Sequence, residues 1–548
     1  MIFLSIFFIP ALSSGDLYEE QLDRGLTNSE NYSYFLIQKS KENPARAKEI
    51  LKEALKYSPN LPAVYFELSK DSFSFTSEEM YESLDYLLKG IGAYQRNFWW
   101  SFSIAGSLFM SLIISFIISM IIIIFVRLPH DLPLFSHDVM EQKARILILF
   151  VLISAITGPL ITIGGILIIP GLYLKKRDRA LVYLYLFFLL VSPWLFKATS
   201  MFLHASSSET MKAIVQVNES KDNRFALSVL RNAEDKIARF SYALALKREG
   251  RYEEAMAIYN SLLTENPDPK VFNNLANCYV AINDLENAKQ FYEKAIQMKP
   301  LVSTYYNLSQ VSRRTLDFDK GEEYFLSAQG LDHESVSRFH AIFSLNPNRF
   351  VIDAVLPISA IWKYSFEDAN RISTFGLSTI PTKTMPFTAI LLGILFFILN
   401  GRIKHRAHRC KKCGTVLCSK CEKRVLWGSM CSQCYRSLVK IHEIDSRERI
   451  SRIQTLYKYQ TKRRMVMNIL SFILPGSAPI YAGNILRGLL FLWPSLFLLF
   501  VFVMQRVFVL ETPHFYHLWL NWSFLLLMAI VYLLSILITR RRLAREWL

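Results

Sequence analysis

Six of the seven cysteines fall between Cys410 and Cys434, in three CxxC pairs: Cys410/Cys413, Cys418/Cys421 and Cys431/Cys434. A CxxC turn presents two thiolates to one metal ion. Gly414 allows the tight knuckle that aims backbone N–H groups at sulfur, and the basic neighbours lower thiol pKa and offset the charge of a tetrathiolate. The pattern therefore predicts metal ligation, but it leaves open which four groups share an ion. In one arrangement Cys410/Cys413 join Cys431/Cys434, and Cys418/Cys421 need two further ligands from His405 or His408. In the other, Cys418/Cys421 and Cys431/Cys434 form an ordinary ribbon. The spacing does not match the usual iron–sulfur runs. Structural zinc is the expected cofactor, with the candidate ligands consumed and no open position for catalysis. Disulfides become the alternative only if the segment is extracytoplasmic. Cys278, the seventh, sits in a helical pattern and reads as a small buried residue.

A second group with chemical potential is His130, Asp131, His137 and Asp138, which could form a metal or acid–base site. Four such residues in a short stretch are more often a solvated loop. No nucleophile–base pairing or phosphate-binding loop accompanies them, so no enzymatic activity and no small-molecule substrate are expected.

The elements that position these groups are dominated by lipid-soluble sequence. Of 548 residues, 52% are hydrophobic, and mean hydropathy is +0.22. That is high for a soluble chain. The excess lies in blocks near the roughly 20 residues a bilayer crossing needs: 98–126, 146–174, 180–196, 387–399, 465–482, 489–504 and 518–538. Trp99 and Trp100 flank the first as interfacial anchors. Much of the net charge of +17 sits beside these blocks, at Lys175–Arg179, Arg402–Arg409 and Arg540–Arg542, which is the positive-inside pattern. Membrane lipids are thus a partner, and nucleic acid is not expected.

Residues 1–15, apolar and then small, read as a signal peptide. Cleavage there places residues 16–96 outside the cytoplasm, and the basic run after Leu399 belongs inside. An even number of crossings must therefore lie within 98–196. Three blocks are present, so 146–174, interrupted at Gly158-Pro159, Gly164-Gly165 and Pro170-Gly171, is expected to be re-entrant.

Between the membrane blocks, three segments repeat every 33 residues. Tyr242, Ala243, Gly250, Tyr252, Ala255, Tyr259 and Pro267 are followed by Leu275, Ala276, Asn283, Leu285, Ala288, Tyr292, Ala295 and Pro300. A degenerate copy follows, with Leu308, Ser309, Phe318, Gly321, Phe325 and Ala328, and His333 in place of Pro. Small residues let two helices of a hairpin approach, aromatics fill the gap to the next hairpin, and Pro ends each second helix. The pattern resembles the tetratricopeptide repeat (TPR) family over about 236–334, with weaker repeat-like sequence at 30–90 and 205–235. The resemblance implies a concave surface for peptides or protein partners, or helices that only pack on the rest of the chain. No Lys/Asn clamp identifies a ligand.

Two further resemblances concern the modules after residue 400. The run from His405 to Cys434 is similar to the middle of a FYVE-type cross-braced zinc finger that lacks the leading CxxC pair. The Pro475-Gly476…Tyr481-Ala482-Gly483 pattern resembles small bacterial membrane modules, with Ala478 at the place of their second glycine. Pro475 and Pro479 predict a re-entrant turn there. The expected fold is an all-α membrane protein: TPR hairpins, several transmembrane helices and a small zinc-ribbon-like insertion. Its order is signal peptide 1–15, TPR-like domain 16–96, transmembrane region 97–200, TPR domain 201–345, linker 346–384, transmembrane helix 385–401, six-cysteine knuckle 402–440, basic helix 441–464 and membrane module 465–548. The expected role is a non-enzymatic scaffold in a bacterial inner-membrane assembly, with repeats outside and knuckle inside. A subunit of a transport or channel complex is the alternative, disfavoured because the spans carry almost no ionisable residues.

Overall fold

The computed structural model describes residues 14–138, 158–371, 384–402, 407–418, 430–439, 445–508 and 518–545. The chain divides into two compact units, Met1–Phe102 with His204–Ile372, and Ser103–Leu203 with Ser373–Leu548.

The first unit is a series of helical hairpins, including Lys236–Arg248 with Tyr252–Glu265, Pro269–Ala281 with Leu285–Met298, and Val302–Arg314 with Phe318–Leu331. Aspartates start several helices: Asp235, Asp268, Asp284 and Asp317 each accept a backbone N–H of the first turn, satisfying donors that have no partner within the helix. The turn inside each hairpin needs one left-handed residue, and it recurs at the repeat period as Gly250, Asn283 and Leu316, with φ of 79°, 64° and 63°. Ala243, Ala255, Ala276 and Ala288 are fully buried, as are Tyr259 and Tyr292, the close-approach and gap-filling roles expected of them. Earlier in the chain, Glu30–Glu42 packs with Ala47–Tyr57 and Pro62–Asp71 with Ser77–Arg96. Lys221 ties this part to the later hairpins by pairing with Glu30 at 3.0 Å and Glu219 at 2.7 Å.

The span 346–384, expected to be a linker, is more than that. It contains the helices Pro347–Phe350 and Ile358–Arg371, and the stretch between them is held by the repeats, as described below. Its partners lie in the folded hairpins, not beside it in sequence, so nothing local marks it as held.

Among the described residues, five helices centred on the second unit are long and apolar enough to cross a membrane: Phe98–Asp138, Ala180–Ser207, Met385–Arg402, Ile485–Met504 and Trp522–Arg541. The first, which begins in the other unit, is 41 residues long, roughly 60 Å at 1.5 Å per residue. Within this unit it carries buried serines at every fourth position, Ser103, Ser107, Ser111, Ser115 and Ser119. Such a small-residue face lets helices approach closely in an apolar medium. Trp493 donates to Ser115 Oγ at 3.0 Å, and Phe116 packs tilted against Phe188 and edge-on against Trp493.

The two apolar blocks interrupted by glycine and proline take different forms. Residues 146–157 lie outside the described residues, but Pro159–Tyr173 is a continuous 15-residue helix running through Gly164, Gly165 and Pro170. At about 22 Å it is shorter than the roughly 30 Å hydrocarbon core. Its glycines serve packing instead of breaking the helix: a Cβ on Gly171 would lie 2.6 Å from Val182. The block 465–482 is split. Its first half continues the basic segment as one helix, Ser446–Ile473, and Ser477–Tyr481 is a separate short helix. Gly476 between them has φ of 79°, and a Cβ there would sit 2.1 Å from the carbonyl oxygen of Gly488. The signal-peptide expectation falls largely on residues outside those described.

Candidate metal centre and repeat groove

The knuckle is a two-strand turn followed by a helix. His408–Arg409 pairs antiparallel with Val416–Leu417, and Ser432–Leu438 forms the helix. Cys410 N donates to Thr415 O and Gly414 N to Cys410 O, both at 2.9 Å. Gly414, at φ 79°, lies so close to the Tyr459 ring that a Cβ would meet it at 2.4 Å.

This turn brings together the thiols of Cys410, Cys413, Cys431 and Cys434, all within 4.8 Å of one another. Cys413 Sγ and Cys431 Sγ are 3.7 Å apart. Four sulfurs at about 2.3 Å around a tetrahedral ion stand about 3.8 Å apart, so the set fits a metal and is far from the roughly 2 Å of a disulfide. Backbone donors aim at sulfur: Cys431 N to Cys410 Sγ at 3.4 Å and Cys434 N to Cys431 Sγ at 3.3 Å. Burial pushes the Cys410 thiol up, but the N–H groups of Cys413, Cys431 and Lys412 outweigh it and bring it to about 7. Burial holds Cys431 up at about 11 and pushes Cys434 higher still. Crowded thiols, one of which ionises readily while two resist, are what a tetrathiolate site looks like before a cation supplies the missing charge.

Of the pairings left open by the sequence, the structure brings Cys410/Cys413 beside Cys431/Cys434. His408 lies on the first strand and is not among the four. Cys418 is buried against Leu134 and Ala407. Cys421 and His405 lie outside the described residues.

Residues 130–138 do not form a loop. They are the last turns of the Phe98–Asp138 helix. Asp131, fully buried, takes a two-pronged contact from Arg127 at 2.9 and 2.6 Å, and Arg127 also donates to Tyr481 O at 3.2 Å. Asp138 accepts from Tyr173 Oη at 3.2 Å and from Ala407 N at 2.7 Å. Arg409 donates to His130 O at 2.9 Å and to Gly414 O at 3.2 Å. Gln460 donates to Lys411 O and Lys412 O at 2.9 and 2.7 Å. The knuckle is thereby seated on helix ends that sequence reasoning had treated as candidates for chemistry. Asp178 likewise accepts from Leu486 N at 3.1 Å, and Lys175 donates to Asn484 at 2.8 Å.

In the repeat unit, a feature without an obvious sequence signal stands out. Residues 351–356 run extended across the first helices of successive hairpins, read by asparagine side chains at alternate positions. Asn307 donates to Ile352 O at 2.8 Å and accepts from Ile352 N at 2.7 Å. Asn274 does the same for Ala354, at 2.9 and 2.7 Å, and Asn218 for Leu356, at 3.0 and 2.7 Å. Between them the Asp353 carboxylate meets Lys247 Nζ at 3.0 Å, Arg248 Nε at 3.1 Å and Asn277 Nδ2 at 2.9 Å. Burial pushes this carboxyl up, but the two cations more than reverse that and hold it below the ordinary aspartate value. Val351 is fully buried in the core of the hairpins with Tyr292, Leu308 and Val311. The available signal was the recurrence of Asn274 and Asn307 at the 33-residue period, on the faces that carry no packing alanine.

Comparison with known proteins places the resemblance in these hairpins. Residues 246–310 match the family described as tetratricopeptide repeat. The mitochondrial import receptor subunit TOM70 of Saccharomyces cerevisiae is 38% identical over 66 residues, 11% of this chain and 11% of that one. The transcription factor tau 131 kDa subunit of the same yeast is 39% identical over 80 residues, 13% of this chain and 8% of that one. The chain thus spans about a tenth of the length of the curated relatives it matches. With the period, the buried alanines and the hairpin geometry, these matches establish that the chain carries tetratricopeptide repeats.

Proposed function

We propose that the protein is a non-enzymatic membrane scaffold whose repeats recruit protein partners. The observation that carries this reading is the pairing of a repeat unit with a second unit rich in apolar helices long enough to span: a recognition surface on a membrane anchor. The receptor subunit among its relatives, named for mitochondrial import, supports a partner-binding role for the shared repeats.

Among the described residues, two helices long enough to cross a membrane, Phe98–Asp138 and Ala180–Ser207, lie between residues 16–96 and the later hairpins, which belong to one unit with them. That supports placing both on the same side, outside the cytoplasm in a bacterial inner membrane, with the knuckle inside. The knuckle holds structural zinc through Cys410, Cys413, Cys431 and Cys434. When bound, the ion neutralises the thiolates and pins the turn; the chain's own residues seat that turn on the helix ends.

The test is capture from mild detergent followed by mass spectrometry, comparing the intact chain with one lacking residues 209–371. Partners lost with the deletion are expected. Identical recovery by both chains sinks the reading.

A further inference from the structure

The stretch 351–356 has the contacts of a ligand more than those of a connection. It forms no regular structure, and its backbone is not paired with other backbone. The N–H and C=O of Ile352, Ala354 and Leu356 each meet a side-chain amide, of Asn307, Asn274 and Asn218 respectively, and Ile352 O also accepts from Asn273 and Asn277 at 3.2 and 3.1 Å. An amide that donates to the carbonyl and accepts from the N–H of one residue reads any extended chain, whatever its side chains. In an extended chain, residues two apart share a face, and here that face is selective. Val351 enters the apolar core, Asp353 enters a pocket of Lys247, Arg248 and Asn277, and Val355 is 40% exposed.

We propose that residues 351–356 are a resident ligand of a peptide site, and that the same site takes an extended partner segment with a β-branched apolar residue two positions before an aspartate. This rests on the reading of the repeats as a partner-binding surface and specifies the class of partner. Charge selects the aspartate: the pocket holds two cations, both almost fully buried, and only a carboxylate satisfies both. The tethered strap competes at the high local concentration that a covalent linkage provides, in the millimolar range for short connections. A partner segment therefore binds weakly until the strap is loosened.

The experiment uses the full chain in detergent and a fluorescein-labelled peptide with the sequence FVIDAVL, read by polarisation. Two strap variants are compared with the parent: Asp353→Ala, and Ala354→Pro, which removes one strap N–H and leaves every groove residue intact. Both are expected to bind the peptide at least tenfold more tightly than the parent. The peptide FVIAAVL is expected to bind at least tenfold more weakly than FVIDAVL, and adding Lys247→Ala to Ala354→Pro is expected to remove the preference. On the parent, hydrogen exchange at Ile352, Ala354 and Leu356 should accelerate with excess FVIDAVL, which requires no variant to fold. No gain in either folded variant, or no acceleration in the parent, overturns the proposal. So does equal affinity for the two peptides. If capture still depends on residues 209–371 while these outcomes fail, the repeats dock partners elsewhere and only this proposal falls.

Discussion

Replacing Asp353 by Ala leaves Lys247 and Arg248 facing each other with no counter-charge, and their side chains are only 0% and 3% exposed. Removing one partner of a buried ion pair costs about 3–5 kcal/mol, because the remaining charge stays desolvated. For a unit of this size each kcal/mol lowers the melting temperature by about 2–4 °C, so a drop of about 6–20 °C is expected. The assay is thermal melting by circular dichroism, with hydrogen exchange of Val302–Arg314 assigning the transition to the repeats. The pH dependence provides a second check. Because the folded-state pKa of Asp353 lies below its ordinary value, its contribution is complete above the unfolded value near 3.9 and is lost as pH falls through the folded value. The difference between parent and variant should be flat from about pH 5 to 8 and shrink only below about pH 4. A drop under about 1 kcal/mol at neutral pH, the size typical of an exposed pair, would show that the carboxylate is not the buried counter-ion described here.

Zinc analysis should find one ion per chain. Cys410→Ser and Cys434→Ser should lose it while Cys418→Ser keeps it, and loss in the last variant would assign the ion to a different set. Leu316, held at φ 63° where its two repeat equivalents are Gly and Asn, should be replaceable by Gly with a gain of about 1 kcal/mol, seen as a higher melting temperature; destabilisation would mean that its side chain packs. Gly476→Ala places a methyl into the Gly488 carbonyl and should destabilise by more than about 1 kcal/mol, read as lower yield and earlier aggregation on heating; unchanged behaviour would contradict that close approach. Reporter fusions should give an extracytoplasmic signal at Ser303 and a cytoplasmic one at Tyr435, and the same compartment for both would break the bridging picture.

How much was legible in the chain depended on how local the cause was. Hairpins could be read because Ala243, Ala276 and Tyr259, Tyr292 recur with a period that only stacked helix pairs explain. The long apolar helices followed from run length, and the CxxC pairs announced thiolate chemistry because two ligands on one turn are a local matter. Glycine and proline carry two meanings. In 159–173 they mark close packing within a helix, whereas at Gly476 they mark a real break; the difference lies in what stands opposite, Val182 in one case and Gly488 in the other.

Residue types and periodicities by themselves determined the element types, the repeats and the thiol chemistry of the candidate metal site, since each follows from neighbours within a few turns of chain. Only the tertiary structure decided which cysteine pairs meet, because a CxxC turn carries no information about its partner turn. It alone also decided that His130–Asp138 braces the knuckle and that residues 351–356 lie along the asparagines, some 80 positions away in the case of Asn274 and Ala354. An asparagine amide bonds any backbone it meets, and which backbone it meets is settled by how the hairpins stack.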